Sequence, residues 1–188
     1  TKAAGFYNTM LESDDPAVII ECLNGYRLKE KLPSNLGQFK TPVGVVEVTR
    51  EGTDVTIVTY GSTWRLVMEA AKELEIEGIS AEVIDVQSLM PFDVNHMITE
   101  IVAKTNRVIF VDEDVPGGAT AYMMQKVLED QKAYFHLDSD PKTLTAKPHR
   151  PAYGTDGDYF SKPSVDEIFD EVYKMMSRVD PKKFTDIS

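Results

Sequence analysis

Three consecutive carboxylates, Asp112-Glu113-Asp114, run directly into Val115-Pro116-Gly117-Gly118-Ala119-Thr120 and form the densest group of chemistry-bearing residues in this chain. They follow the apolar run Arg107 to Val111, which places them at the carboxyl end of a strand, the edge where open α/β sheets hold ligands. Clustered acids there can take up a divalent cation, perturb one another's ionisation, or meet a basic partner. The structural alternative is one acid capping the next helix while the others are solvated. That reading is favoured, because nothing nearby in sequence completes a metal shell. The glycine pair stands between a strand and a helix, where phosphate-binding loops sit. No GxGxxG or GK[ST] pattern accompanies it, and the upstream carboxylates repel a phosphate, so it reads as a tight turn between sheet and helix.

Other candidates are sparser. His96 falls on a helix and His136 follows Tyr134-Phe135. His149 lies in Lys147–Pro163, a polar, aromatic loop that combines His149, Arg150, Tyr153 and Asp156 as site loops often do. Against a solvated loop packed by its own rings, the functional reading makes His149 and Arg150 part of an entrance to an active site. No serine has a nucleophile-elbow context. Cys22 is the only cysteine, which excludes a disulfide framework and a thiolate metal cluster and fits a reducing cytoplasm.

The elements that must position these groups are plain in Glu51 to Asp93. Asp54–Thr59 is a β-branched apolar run closed by Gly61. Ser62–Glu77 has Val67, Ala70, Ala71 and Leu74 at helical spacing and stops at Gly78. Ala81–Val86 is a second buried-type strand. Two strands joined by one helix need a crossover and lie parallel. The spacing further predicts an edge strand over Val45–Thr49, a helix capped by Asp93 and running to about Lys104, and a strand over Arg107–Val111. A helix from Ala119 to about Asp130, a strand over Lys142–Ala146, and a closing helix capped by Ser164 complete the pattern. Upstream, Ala3–Leu11 reads as a helix and Ala17–Glu21 as a buried strand, followed by an aperiodic stretch broken by Gly25, Pro33, Gly37 and Pro42. The expected organisation is the end of a truncated domain over 1–22, a linker over 23–42, and an open, mostly parallel α/β domain over 43–188.

At 188 residues the chain has room for one α/β domain and an appended segment. A net charge of −11, from 31 acids against 20 bases, argues against nucleic acid, since phosphate binding needs a basic face. No apolar run approaches the roughly 20 residues of a membrane span. The sequence starts without an initiator Met, inside the first helix, as a piece of a longer protein would.

The runs TPVGVVEVTREGTDVTIVTYG, EAAKELEIEGISAEVIDVQSLMPFD and VAKTNRVIFVDEDVPGGATAYMMQKV resemble the C-terminal domain of transketolase-like thiamine-diphosphate enzymes. Within them the chain is most similar to the β component of 2-oxoacid dehydrogenase E1, and Thr1 to Cys22 looks like the end of its pyrimidine-binding domain. The loop Lys147–Pro163 departs from that pattern and suggests a variant branch, with α and β regions fused. The resemblance implies a parent that decarboxylates a 2-oxoacid on thiamine diphosphate with magnesium and passes the acyl group to lipoyl-E2. Its partners are an E1 α region or subunit, the subunit-binding domain of E2, and a second copy in a homodimer. It also implies that the activating acid and the cofactor ligands lie outside these residues, so Glu21 is not that acid and no catalytic or metal-binding residue is carried over. The chain is then a dimerisation and docking module, with Asp112, Glu113 and Asp114 as the partner-binding face. Alternatives are a transketolase or deoxyxylulose-phosphate synthase, or a non-catalytic interaction module.

Overall fold

The computed structural model describes residues 1–151, 153–154 and 157–185, with Asn24 and Asp158 described through the backbone alone. Its centre is a five-stranded sheet in the order β1-β3-β2-β4-β5, built from β1 (Glu47–Arg50), β2 (Val55–Thr59), β3 (Ala81–Asp85), β4 (Val108–Val111) and β5 (Lys142–Leu144). β2 pairs in parallel with both β3 and β4, and β4 with β5, while β1 lies antiparallel on β3 at one edge. The mostly parallel α/β sheet expected from the βαβ pattern is therefore present, with the antiparallel strand confined to the edge.

Strand alternation divides the core into two layers. Val55, Ile57, Ala81, Val83, Ile109 and Val111 face α2 (Thr63–Ile76) and α6 (Val165–Val179), whose Val67, Ala70, Leu74, Ile168 and Val172 are fully buried against them. Val58, Ile84, Val108 and Phe110 face the opposite layer, α3 (Met97–Thr105) and α4 (Ala119–Gln125), through Ile98, Val102 and Met123. β2 and β4 are buried at every position, as strands covered on both faces must be.

Several boundaries differ from the sequence pattern, each for a local reason. α3 begins at Met97 and not beside Asp93, because Asp93 and His96 take left-handed backbone (φ 36° and 56°) and form a turn ahead of the helix. Asp93 still caps it. Its buried carboxylate accepts from the amides of Met97 and Ile98, both at 3.0 Å, and from Gln131 Nε2 at 3.2 Å. The helix expected over 119–130 is α-helical to Gln125 and wound as a π-turn over Lys126–Asp130, where the Gln131 amide reaches back to the Lys126 carbonyl. Ser164 caps α6 with a full capping box to Glu167. A short helix α5 (Gly157–Ser161) interrupts the expected loop.

Ala17–Glu21, expected as a buried strand, is irregular, with Val18 90% and Ile20 89% exposed. A strand needs a neighbour for its amides and carbonyls, and the sheet of this chain offers these residues none. The preceding helix α1 (Lys2–Leu11) packs on residues 36–41. Asn8 Nδ2 donates to the carbonyls of Leu36 and Phe39, and Gly5 is seated so closely that a Cβ there stands 2.2 Å from Thr41 Oγ1.

Candidate functional site at the carboxyl edge

Because β2 leads into α2 on one face and β4 into α4 on the other, the carboxyl ends of these neighbouring strands flank the crevice where an open α/β sheet accommodates ligands. The register pairs Thr59 with Val111, so the next residues, Tyr60 and Asp112, meet there. Tyr60 donates its hydroxyl to Asp112 Oδ2 at 2.8 Å, and Asp112 Oδ1 accepts from the Asp114 amide at 3.2 Å. Asp112 is 1% exposed. Burial pushes its carboxyl above the usual range, opposed by the hydrogen bonds from Tyr60 and from the Asp114 and Glu113 amides. Burial, then the bond to Asp112, raises the Tyr60 phenol strongly, so it stays protonated and donates. A neutral donor and a buried acceptor therefore meet at the ends of β2 and β4.

The other two acids also have internal partners. Asp114 Oδ1 accepts from the Val115 amide at 2.8 Å, and its carboxylate covers Gly118, where a Cβ stands 2.1 Å from Asp114 Oδ2. Gly117 makes the turn with φ 90°. The glycine pair thus serves a tight turn that seats Asp114 at the start of α4. Glu113 is exposed and pairs with Lys162 at 3.0 Å. Of the three candidate acids, Asp112 is turned inward and cannot be part of an outer face, while Glu113 and Asp114 stay at the surface.

The loop carrying His149 and Arg150 arrives at the same edge. Ala146 donates its amide to the Asp114 carbonyl (2.9 Å), Lys147 to that of Ser161 (2.9 Å), and Lys162 holds Glu113. Both candidate residues are exposed. His149 lies 5.8 Å from the Phe160 ring, Lys147 Nζ 4.3 Å from the same ring, and Arg150 stacks 4.9 Å over Tyr153. Asp156, read with this loop, lies outside the described residues. The structure brings the acid turn and the basic, aromatic loop together but leaves His149 without a carboxylate or nucleophile partner among the described residues.

Cys22 sits beside the β2–α2 turn, 3.7 Å from where a Cβ on Gly61 stands. Partial desolvation and the charge of Glu113 raise its thiol, with Arg65 opposing, so it is a poor nucleophile. Two engaged positions escaped sequence reasoning. Tyr60 is paired with Asp112 only once β2 and β4 are known to be neighbours. Asp85 receives Lys2 of α1 at 3.0 Å, and the same ammonium contacts Glu47. No local pattern marks either.

The model of the transketolase C-terminal domain matches residues 44–161. The chain belongs to the transketolase C-terminal domain family. It is 34% identical over 151 residues to the 2-oxoisovalerate dehydrogenase subunit beta of Bacillus subtilis, covering 80% of this chain and 45% of that one. It is 35% identical over 149 residues to the acetoin:2,6-dichlorophenolindophenol oxidoreductase subunit beta of the same organism, covering 79% and 42%. It is also 35% identical over 145 residues to the pyruvate dehydrogenase E1 component subunit beta of Acholeplasma laidlawii, covering 76% and 43%. The chain thus spans less than half the length of these relatives. Among solved structures, a split-gene transketolase in an inactive β4 tetramer superposes with a TM-score of 0.59 at 25% identity, over 75% of this chain and 44% of that one. For this transketolase C-terminal domain, the strand order and the two helix layers described above are the family fold, and no helix among the described residues is long and apolar enough to cross a membrane.

Proposed function

We propose that this transketolase C-terminal domain is part of a 2-oxoacid dehydrogenase E1 component whose full-length form decarboxylates a 2-oxoacid with thiamine diphosphate and magnesium. The observation that carries the reading is the agreement of relatives: the matched proteins from Bacillus subtilis and Acholeplasma laidlawii are β subunits of oxidoreductases, two of them 2-oxoacid dehydrogenases. In this reading residues 1–22 end an upstream pyrimidine-binding domain, 23–42 link, and 43–188 form the C-terminal domain. The exposed Val18 and Ile20 are then edge residues of a sheet completed by that upstream domain.

The described residues at this edge do not fit the cofactor. A diphosphate at the start of α4 meets the Asp114 carboxylate already seated over Gly118, and Tyr60 and Asp112 are bonded to each other at the ends of β2 and β4. No group of three or more His, Cys, Asp or Glu side chains suited to a metal ion occurs among the described residues. No step of the reaction is therefore assigned to them. Calorimetric titration of this chain with thiamine diphosphate and magnesium is expected to give no saturable heat, whereas micromolar binding contradicts the domain assignment.

The roles left to these residues are assembly and docking. Glu113 and Asp114 form the acidic surface offered to the subunit-binding domain of an E2 acyltransferase, working in the cytoplasm beside an E1 α region. Charge complementarity supports this, since the protein carries −11 and steered docking favours a basic partner. Reversal of Glu113 and Asp114 to Lys is expected to weaken E2 capture most at low salt, and salt-independent capture removes the idea. Homodimer formation is the companion proposal, supported by the structural neighbour that assembles as a β4 tetramer. We further propose that His149 and Arg150 line the entrance to the parent's active site; unchanged turnover of the double alanine variant removes them from it.

A further inference from the structure

Glu47 and Asp85 stand directly opposite each other across the antiparallel pair of β1 and β3. Two carboxylates in that position repel, and the pairing is weakened unless a cation stands between them. The cation comes from outside the sheet. Lys2, the first residue of α1, donates its ammonium to Asp85 Oδ2 at 3.0 Å and contacts the Glu47 carboxylate as well. Asp85 is held ready to receive it. Its side chain is 14% exposed, and its other oxygen accepts the Gln87 amide at 3.2 Å. The Trp64 ring lies 6.0 Å from the same ammonium and is fixed by a bond from its Nε1 to Thr49 Oγ1 at 2.9 Å.

A second contact, independent of charge, seats the same helix. Thr41, 4% exposed, donates its hydroxyl to the Lys2 carbonyl at 3.1 Å, and its own carbonyl accepts from Thr9 Oγ1 at 2.8 Å. Three residues on, the Gly44 amide donates to Ser88 Oγ at 2.7 Å, and the Gly44 carbonyl accepts from the Val94 amide at 2.9 Å. The helix is thus joined to the sheet through Lys2 and to the loop after β3 through Thr41 and Gly44. We infer that Lys2 is a positioning residue: by closing the Glu47–Asp85 pair it keeps α1, and the upstream domain to which α1 belongs, in one orientation against the sheet. The inference rests on the reading of residues 1–22 as the end of that domain. Lys2 touches no reacting group, and its effect on turnover comes through the fraction of protein in which the two parts are aligned.

The test uses the full-length parent and two readouts, amide exchange in α1 and steady-state turnover of the 2-oxoacid. In Lys2→Met the two carboxylates are left unbridged, and exchange in α1 is expected to quicken about fivefold. Adding Glu47→Gln removes the repulsion and is expected to restore part of the protection. Turnover by Lys2→Met is expected to show a lowered kcat with an unchanged KM for the 2-oxoacid. Lys2→Arg keeps the charge and is expected to recover both readouts, and Lys174→Met, on α6, to match the wild type in both. Wild-type exchange of α1 in Lys2→Met overturns the inference, as does faster exchange with an unaltered kcat, or no recovery with Glu47→Gln. A parent that turns over no 2-oxoacid overturns the functional reading instead, and the exchange measurement then still decides whether Lys2 fixes α1.

Discussion

Tyr60→Phe removes one oxygen from the crevice between β2 and β4 and leaves the ring in place. The hydroxyl lost donates at 2.8 Å to Asp112, a carboxylate 1% exposed that keeps only the backbone amides of Glu113 and Asp114 as donors. Hydrogen bonds to charged groups contribute ~1.5–3 kcal/mol, so a loss of about 2 kcal/mol is expected at neutral pH. For a protein of this size that lowers the thermal midpoint by roughly 4–8 °C. The loss depends on pH with a definite sign. Burial raises the Asp112 carboxyl in the native state, so the native protein takes up that proton before the unfolded chain does. Stability from protonation is fully present below the unfolded carboxyl value and is lost as pH rises through the native value. Tyr60 is one of the groups holding the native value down, so its loss makes the ionised form still more costly. The deficit of Tyr60→Phe is therefore full at about pH 7.5 and shrinks toward acid. Urea unfolding at several pH values, with Asp112→Asn and the double variant completing a cycle, measures it. A deficit below about 0.5 kcal/mol at neutral pH, or one that does not change with pH, refutes the reasoning.

Three further perturbations test other parts of the structure. Gly52→Ala places a Cβ 2.3 Å from the backbone of Ala81 and Glu82, which cannot swing aside, so a loss of about 3 kcal/mol or more is expected in urea unfolding. Ser164→Ala removes the cap of α6, which covers the sheet through Ile168 and Val172, and is expected to cost about 1 kcal/mol by the same measurement. Asp93→Ala uncaps the Met97 and Ile98 amides and frees Gln131, and is expected to cost about 2–3 kcal/mol, with amide exchange accelerated first at the start of α3.

What could be read from residues alone follows how local the physics is. The β2–α2–β3 unit was legible because its apolar spacing switches between strand and helix periods with Gly61 and Gly78 as punctuation, and its order in the sheet follows from crossover geometry. The capping role of Ser164 was legible for the same reason, since Glu167 lies three residues on. The start of α3 was not, because Asp93 caps from four residues away across a turn with left-handed backbone at His96. Ala17–Glu21 has the composition of a strand, yet a strand is defined by its neighbour, and composition does not say where that neighbour is. The site divides the same way. The position of Asp112–Asp114 at a strand's carboxyl end was plain, but the inward turn of Asp112 depends on Tyr60, which lies 52 residues earlier.

The most direct test of the central claim is a steady-state assay on the full-length parent, supplied with thiamine diphosphate, magnesium and an artificial electron acceptor. Pyruvate, branched-chain 2-oxoacids and 2-oxoglutarate are the substrates to compare. Acceptor reduction with one of them is the predicted result and names the substrate. No reduction with any of them, together with ketol transfer between sugar phosphates, contradicts the account and places the parent with the transketolases.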